Sequence, residues 1–129
     1  MYPYQRLRVW QRAHALAVAL YDSQLLDESP KYAALVDQIR RSAGSVASNI
    51  AEGSASGSQA SFARYLAIAI GSAHELEGHL RLAADIGCTR PDRRVQLAED
   101  VESIKKMLTV LRRTVKLNPD GRRKADASP

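Results

Sequence analysis

The sequence predicts an all-α protein, an up-down-up-down antiparallel four-helix bundle, and three observations carry that expectation. Apolar residues recur at intervals of three and four along four separate stretches, and Pro, Gly and Asn punctuate the joints between them. The composition is rich in Ala and Leu but only 5% aromatic, which favours helices over sheets. A chain of 129 residues is one domain's worth and buries a real core.

The first amphipathic run goes from Arg8 to Gln24, with Val9, Ala13, Leu16 and Leu20 on one face and Trp10, Ala17 and Tyr21 on the adjoining stripe. Ser29-Pro30 reads as an N-cap followed by proline at the first helical position, where its missing N–H costs nothing. The second run then places Leu35, Ile39, Val46 and Ile50 on one face. Its middle is small, with Ser42, Ala43, Gly44, Ser45, Ala47 and Ser48. Such side chains let another helix approach, although a mid-helix Gly costs about 1 kcal/mol relative to Ala.

Gly53 to Ser58 breaks the pattern and reads as a flexible connection whose last serine caps the third helix. Phe62, Leu66, Ala69, Ala73, Leu76, Leu80 and Ala83 then alternate spacings of four and three, the seam of near-parallel packing. Gly87 ends this helix as a left-handed cap, and Thr89-Arg90-Pro91-Asp92 opens the fourth. Leu97, Val101, Ile104, Leu108, Leu111 and Val115 repeat the rule there. Asn118-Pro119-Asp120-Gly121 stops it, so the bundle is expected over 1–118 and a basic disordered tail over 119–129.

One feature exceeds what a lone bundle needs. Ala13–Tyr21 and Tyr65–Ala73 lack any formal charge, and Tyr65, Ile68, Leu82 and Ile86 add a second apolar stripe to the third helix. A helix apolar on two sides is buried or covered by another subunit. A homo-oligomer with those four residues at its interface is therefore expected.

The net charge is +5, and its distribution is uneven. Residues 1–86 hold 8 basic and 8 acidic side chains, whereas residues 87–129 hold 11 basic and 6 acidic. Lys105, Lys106, Arg112, Arg113, Lys116, Arg122, Arg123 and Lys124 fall within twenty residues against Asp120 alone. Glu102 stands three and four residues before Lys105 and Lys106 and weakens that half of the patch. Such a cluster suits phosphates and gives affinity without base readout. Nucleic acid is the expected partner, with RNA favoured and a protein partner as the alternative. A solvated, solubilising helix face is the bland reading of the same charges.

Catalytic chemistry is not expected. His74-Glu75-Leu76-Glu77-Gly78-His79 superficially resembles a zinc-protease motif, but histidines five apart are rotated by about 140° on a helix and cannot share one metal. A metal or small-molecule bundle around His14, His74 and His79 is a minor reading, and no cofactor is expected. His14 is expected as a partly buried structural histidine, and Asn49 with Glu52 as a capping network. Ser42, Ser45 and Ser48 have no acid–base partner in sequence and suit close packing. Cys88 is the single cysteine, which excludes an internal disulfide. With no signal peptide and no apolar run of membrane-spanning length, a cytoplasmic protein without membrane contact is expected.

Three stretches together resemble a known family: LRVWQRAH at Leu7–His14, QIRRSAGSVASNIAEG at Gln38–Gly53, and FARYLAIAIGSAHELEGHL at Phe62–Leu80 continuing to Gly87. They are similar to the four-helix bundle proteins that include those encoded in intervening sequences of bacterial large-subunit ribosomal RNA genes, once labelled S-twenty-three ribosomal proteins. The resemblance implies a homo-oligomeric ring, typically a pentamer, with no enzymatic activity. It also implies distant kinship to the basic accessory proteins of diversity-generating retroelements, which bind a reverse transcriptase and nucleic acid. An adaptor or accessory scaffold for such an enzyme is the alternative function. Relatives often carry Lys or Arg near the start of the third helix, whereas Gly57-Ser58-Gln59-Ala60-Ser61 is neutral here. That departure moves the expected nucleic-acid surface to the C-terminal end.

Overall fold

The four periodic stretches fold into four helices in a computed structural model that describes residues 3–22 and 24–119. They are α1 (Arg8–Tyr21), α2 (Ala33–Ser54), α3 (Gln59–Asp85) and α4 (Arg94–Lys116), with single 3₁₀ turns at Tyr4–Arg6, Pro30–Tyr32 and Pro91–Arg93. All seven seam residues of α3 and all six of α4 are buried. They meet Val9, Ala13, Leu16 and Leu20 of α1 and Ile39, Val46 and Ile50 of α2 in one core. Successive helices are antiparallel neighbours, and α4 returns to pack beside α1.

Polar cross-links fix the register. Arg40 Nε donates to Leu20 O (3.0 Å) between α2 and α1, and the hydroxyls of Ser45 and Ser72 meet at 2.8 Å between α2 and α3. Arg112 Nε reaches Ala63 O (3.1 Å) from α4 to α3, and Arg12 donates to Ser103 Oγ (3.2 Å) from α1 to α4. The serines of the small α2 segment act as the spacing suggested. Ser42 Oγ donates to Gln38 O, while Asn49 Nδ2 donates to the carbonyl and hydroxyl of Ser45.

The helix ends differ from expectation in three places. α1 stops at Tyr21 rather than Gln24 because Asp22 turns extended and its Oδ1 accepts from the N–H of Gln24 (3.0 Å), a local bond that competes with the next helical turn. Ser29 does not cap α2 with its side chain. Its hydroxyl and N–H both serve the Asp27 carboxylate, which these bonds hold below the ordinary carboxylate range, and α2 begins after the Pro30 turn. Gly53 and Ser54, expected in the flexible connection, lie inside α2. A Cβ on Gly53 would stand 2.7 Å from Tyr65 Cβ and 3.0 Å from the Phe62 ring, so glycine here permits contact between α2 and α3. Ser58 does cap α3, accepting from the N–H of Ser61 (3.1 Å).

At the opposite end the two loops grip each other. Leu26 and Thr89 form an antiparallel bridge, with Asp27 N donating to Cys88 O (2.8 Å) and Arg90 N to Leu25 O (3.0 Å). Gly87 takes the left-handed conformation (φ 82°), so that Gly87 N reaches Ala84 O and Cys88 N reaches Ala83 O. That pair of bonds satisfies the last carbonyls of α3. Cys88 is thereby buried, and desolvation pushes its thiol up.

Candidate nucleic-acid interface

The basic cluster read from the sequence separates into three groups in space. Lys105 is drawn inward: its side chain is 17% exposed, and Nζ contacts Glu77 at 2.9 Å and Glu102 at 3.5 Å. The hydrogen bond it donates to Glu77 is the chief cause that raises its pKa. An ammonium already shared by two carboxylates has little left for a phosphate, which sets Lys105 apart from the other expected cations. Lys106 is exposed on the outer side of α4, and Arg122, Arg123 and Lys124 lie outside the described residues.

Arg112, Arg113 and Lys116 form the remaining group, in the last two turns of α4. Cations there also complement the exposed carbonyls of the helix C-terminus. Arg113 and Lys116 are exposed, and Arg112 is half-buried beside the Ala63 carbonyl. Together with Ile70, Thr109 and Leu117 they line a recess of about 350 Å³.

Lys105 also provides a test of this sorting. Lys105→Ala is expected to lower stability by about 1 kcal/mol, as for a well-formed but partly exposed ion pair, and to leave nucleic-acid affinity within about twofold. A raised lysine pKa stabilises the fold below the ordinary lysine value, and that contribution is lost as pH climbs through the raised value. Urea unfolding at neutral and strongly alkaline pH measures the difference. An affinity loss at unchanged stability would return Lys105 to the interface.

Antiparallel packing adds cations that a count along the chain averaged away. The start of α1 and the start of α3 lie at the same end of the bundle as the C-termini of α2 and α4. Residues 3–12, 47–64 and 109–119 make up that end. They contribute Arg6, Arg8, Arg12, Arg64, Arg112, Arg113 and Lys116, seven cations against Glu52 alone. The ion pairs of the described residues all lie elsewhere: Arg40–Glu28, Arg41–Asp37, His74–Glu77, Arg81–Asp85, Arg90–Asp92 and the Lys105 pairs. The bundle is thus electrically polarised along its axis. The available signal was that no acid precedes Asp22.

Ile68, Leu82 and Ile86 stand 46–49% exposed on the outer face of α3. Tyr65 does not share that face: it is half-buried with its Cβ against Gly53, already spent on the α2–α3 contact. His14 is exposed and stacks on the half-buried Trp10 ring, contrary to the expected partly buried position, because it lies one turn further along α1 on the outward side of that ring. Among the described residues no three His, Cys, Asp or Glu side chains converge as metal ligands. No helix among them is long and apolar enough to cross a membrane.

Residues 5–110 match the family described as 23S rRNA-intervening sequence protein. Among solved structures, a protein of unknown function from the S23 ribosomal protein family of Bacteroides thetaiotaomicron superposes with a TM-score of 0.72 at 24% identity, covering 81% of this chain and 95% of that one. At that identity the likeness speaks for the fold alone. Comparison with curated proteins gave no match. With the match spanning all of α1, α2 and α3 and most of α4, this four-helix chain belongs to the 23S rRNA-intervening sequence protein family.

Proposed function

We propose that the chain is a non-enzymatic, homo-oligomeric bundle that binds nucleic acid, and RNA in particular, through its basic end and without reading sequence. One observation carries the reading: among the described residues, seven cations from three helices and the turn before α1 come together at one end of the bundle with Glu52 as the only acid, and the ion pairs of Arg40, Arg90 and Lys105 lie elsewhere. Phosphates are the polyanion that such an array suits, and each one bound releases counterions. RNA is preferred to DNA because the family takes its description from intervening sequences of 23S rRNA.

Self-association supplies the second half of the proposal. Ile68, Leu82 and Ile86 leave an apolar stripe on α3 for another copy to cover. A ring would repeat the basic end once per subunit and add multivalency to modest contacts.

The experiment is a salt series of binding to generic structured RNA, run on the full chain and on one ending at Asn118, with mass measured by light scattering. Micromolar or tighter binding is expected, falling with a log–log slope of about −3 to −5 if four to six phosphates are engaged. Weakening on truncation would include the last residues in the face. Negligible binding at low salt would sink the nucleic-acid reading. The α3 stripe would then point to a protein partner, as in the accessory-scaffold alternative.

A further inference from the structure

Trp10 is the only tryptophan in the chain and the centre of a three-ring ladder. Tyr4 meets it edge-on, with centroids 4.9 Å apart and planes at 70°, and His14 lies flat against it at 4.7 Å and 11°. Val9, Ala13, Leu16, Ala17 and Leu20 bury the inner face of α1, and Tyr4 and Trp10 pack against the rim of that core. Tyr4 and Trp10 are half-buried and His14 is exposed. The stack therefore ends at the surface in a ring.

The neighbouring stripe of α2 carries small residues. Arg40, bonded to Leu20 O, marks the edge of α2 that faces α1, and the same stripe continues at helical spacing through Gly44, Ser48 and Ala51. In antiparallel register Ser48 and Ala51 stand opposite the turn carrying Trp10 and His14. A Cβ built on Gly44 would meet nothing within 4 Å. The side chains of α2 along this stripe are thus small or absent from Gly44 to Ala51.

Cations complete the setting. Arg6, Arg8 and Arg12 belong to the same turns as the ladder, with no acid between Pro3 and Tyr21. Arg8 and His14 are separated by ~9 Å of helix rise and by about 120° around the helix. A phosphate held by Arg8 and a base resting on His14 therefore belong to separate nucleotides of a strand that wraps around α1.

We propose that the Trp10–His14 stack is a platform for an unpaired nucleobase, so that RNA on the basic end is held at a single-stranded segment. The proposal rests on the nucleic-acid reading above and deepens it by naming the form of RNA. A base inside a duplex has both faces covered by its neighbours. An unpaired base offers a free face, and stacking on aromatic side chains then adds affinity whatever the base. His14 provides the open face, and Trp10 backs it so that the ring is held before RNA arrives.

The test uses the full chain with a single-stranded RNA decamer and a duplex of the same length, following Trp10 emission and the anisotropy of labelled RNA. The single strand is expected to quench Trp10 and the duplex to leave it unchanged. His14→Ala, at an exposed position, is expected to weaken single-strand binding at least about fivefold with duplex binding and helical circular dichroism intact. His14→Tyr, which keeps a stacking ring, is expected to restore it. Single-strand binding that neither alters Trp10 emission nor responds to His14→Ala overturns the platform and leaves the electrostatic reading standing, as does equal quenching by duplex. Failure of both nucleic acids to bind overturns both.

Discussion

Reversing Arg6 and Arg8 to glutamate is expected to weaken RNA binding as much as reversing Arg113 and Lys116, although the pairs lie more than a hundred residues apart. Each pair supplies two exposed cations to the same end of the bundle. Losing two phosphate contacts flattens the log–log salt slope by roughly 1.5 to 2 and lowers affinity about thirtyfold near 0.1 M salt. The control is Arg93→Glu with Arg94→Glu, the same charge change at the opposite end, where both side chains are also exposed. That variant is expected to lose only a few-fold through long-range repulsion. If all three double variants lose the same affinity, net charge alone governs binding and the basic end has no special standing.

Gly53→Ala carries the largest expected effect on stability. In an open helical position the change would stabilise by up to about 1 kcal/mol. Here the new methyl would enter 2.7 Å from Tyr65 Cβ, a backbone-anchored atom that cannot swing aside. Overpacking of this kind costs about 1–3 kcal/mol, so a net loss and a melting temperature lower by several degrees are expected. Gly44→Ala, with nothing within 4 Å, is expected to move the other way by about 0.5–1 kcal/mol. Urea titrations of the two single variants decide the matter. Equal stabilisation by both would show that α2 and α3 separate easily at Gly53.

The same glycine shows what could be read in advance. The α3 seam from Phe62 to Ala83 and the α4 seam from Leu97 to Val115 were legible residue by residue, because burial enforces helical periodicity directly. Gly87 was legible too, since a positive φ leaves few alternatives to glycine. Gly53 was misplaced because Gly-Ser runs look alike whether they loosen a loop or admit a neighbouring helix. The Leu26–Thr89 bridge gave no signal, being two residues of backbone pairing between loops.

The candidate face was half legible. Arg112, Arg113 and Lys116 stood out because they are adjacent in sequence. Arg6, Arg8, Arg12 and Arg64 join them only through antiparallel packing, and Lys105 departs only because Glu77 lies 28 positions away across a helix pair. Charge summed along a chain is a poor guide to charge summed over a surface. Periodicity forecasts which residues turn inward, but the neighbours on the outside depend on how the helices align.

An even number of antiparallel helices brings the chain back to where it started. Pro3 and Pro119 accordingly sit at the same end of the bundle, the one bearing the seven cations. A fluorescent label or a surface attachment placed at either of these two residues would therefore crowd the surface that a binding assay is meant to probe. Attachment near the clasped loops, at exposed positions such as Glu28 or Asp92, would hold the molecule the right way up.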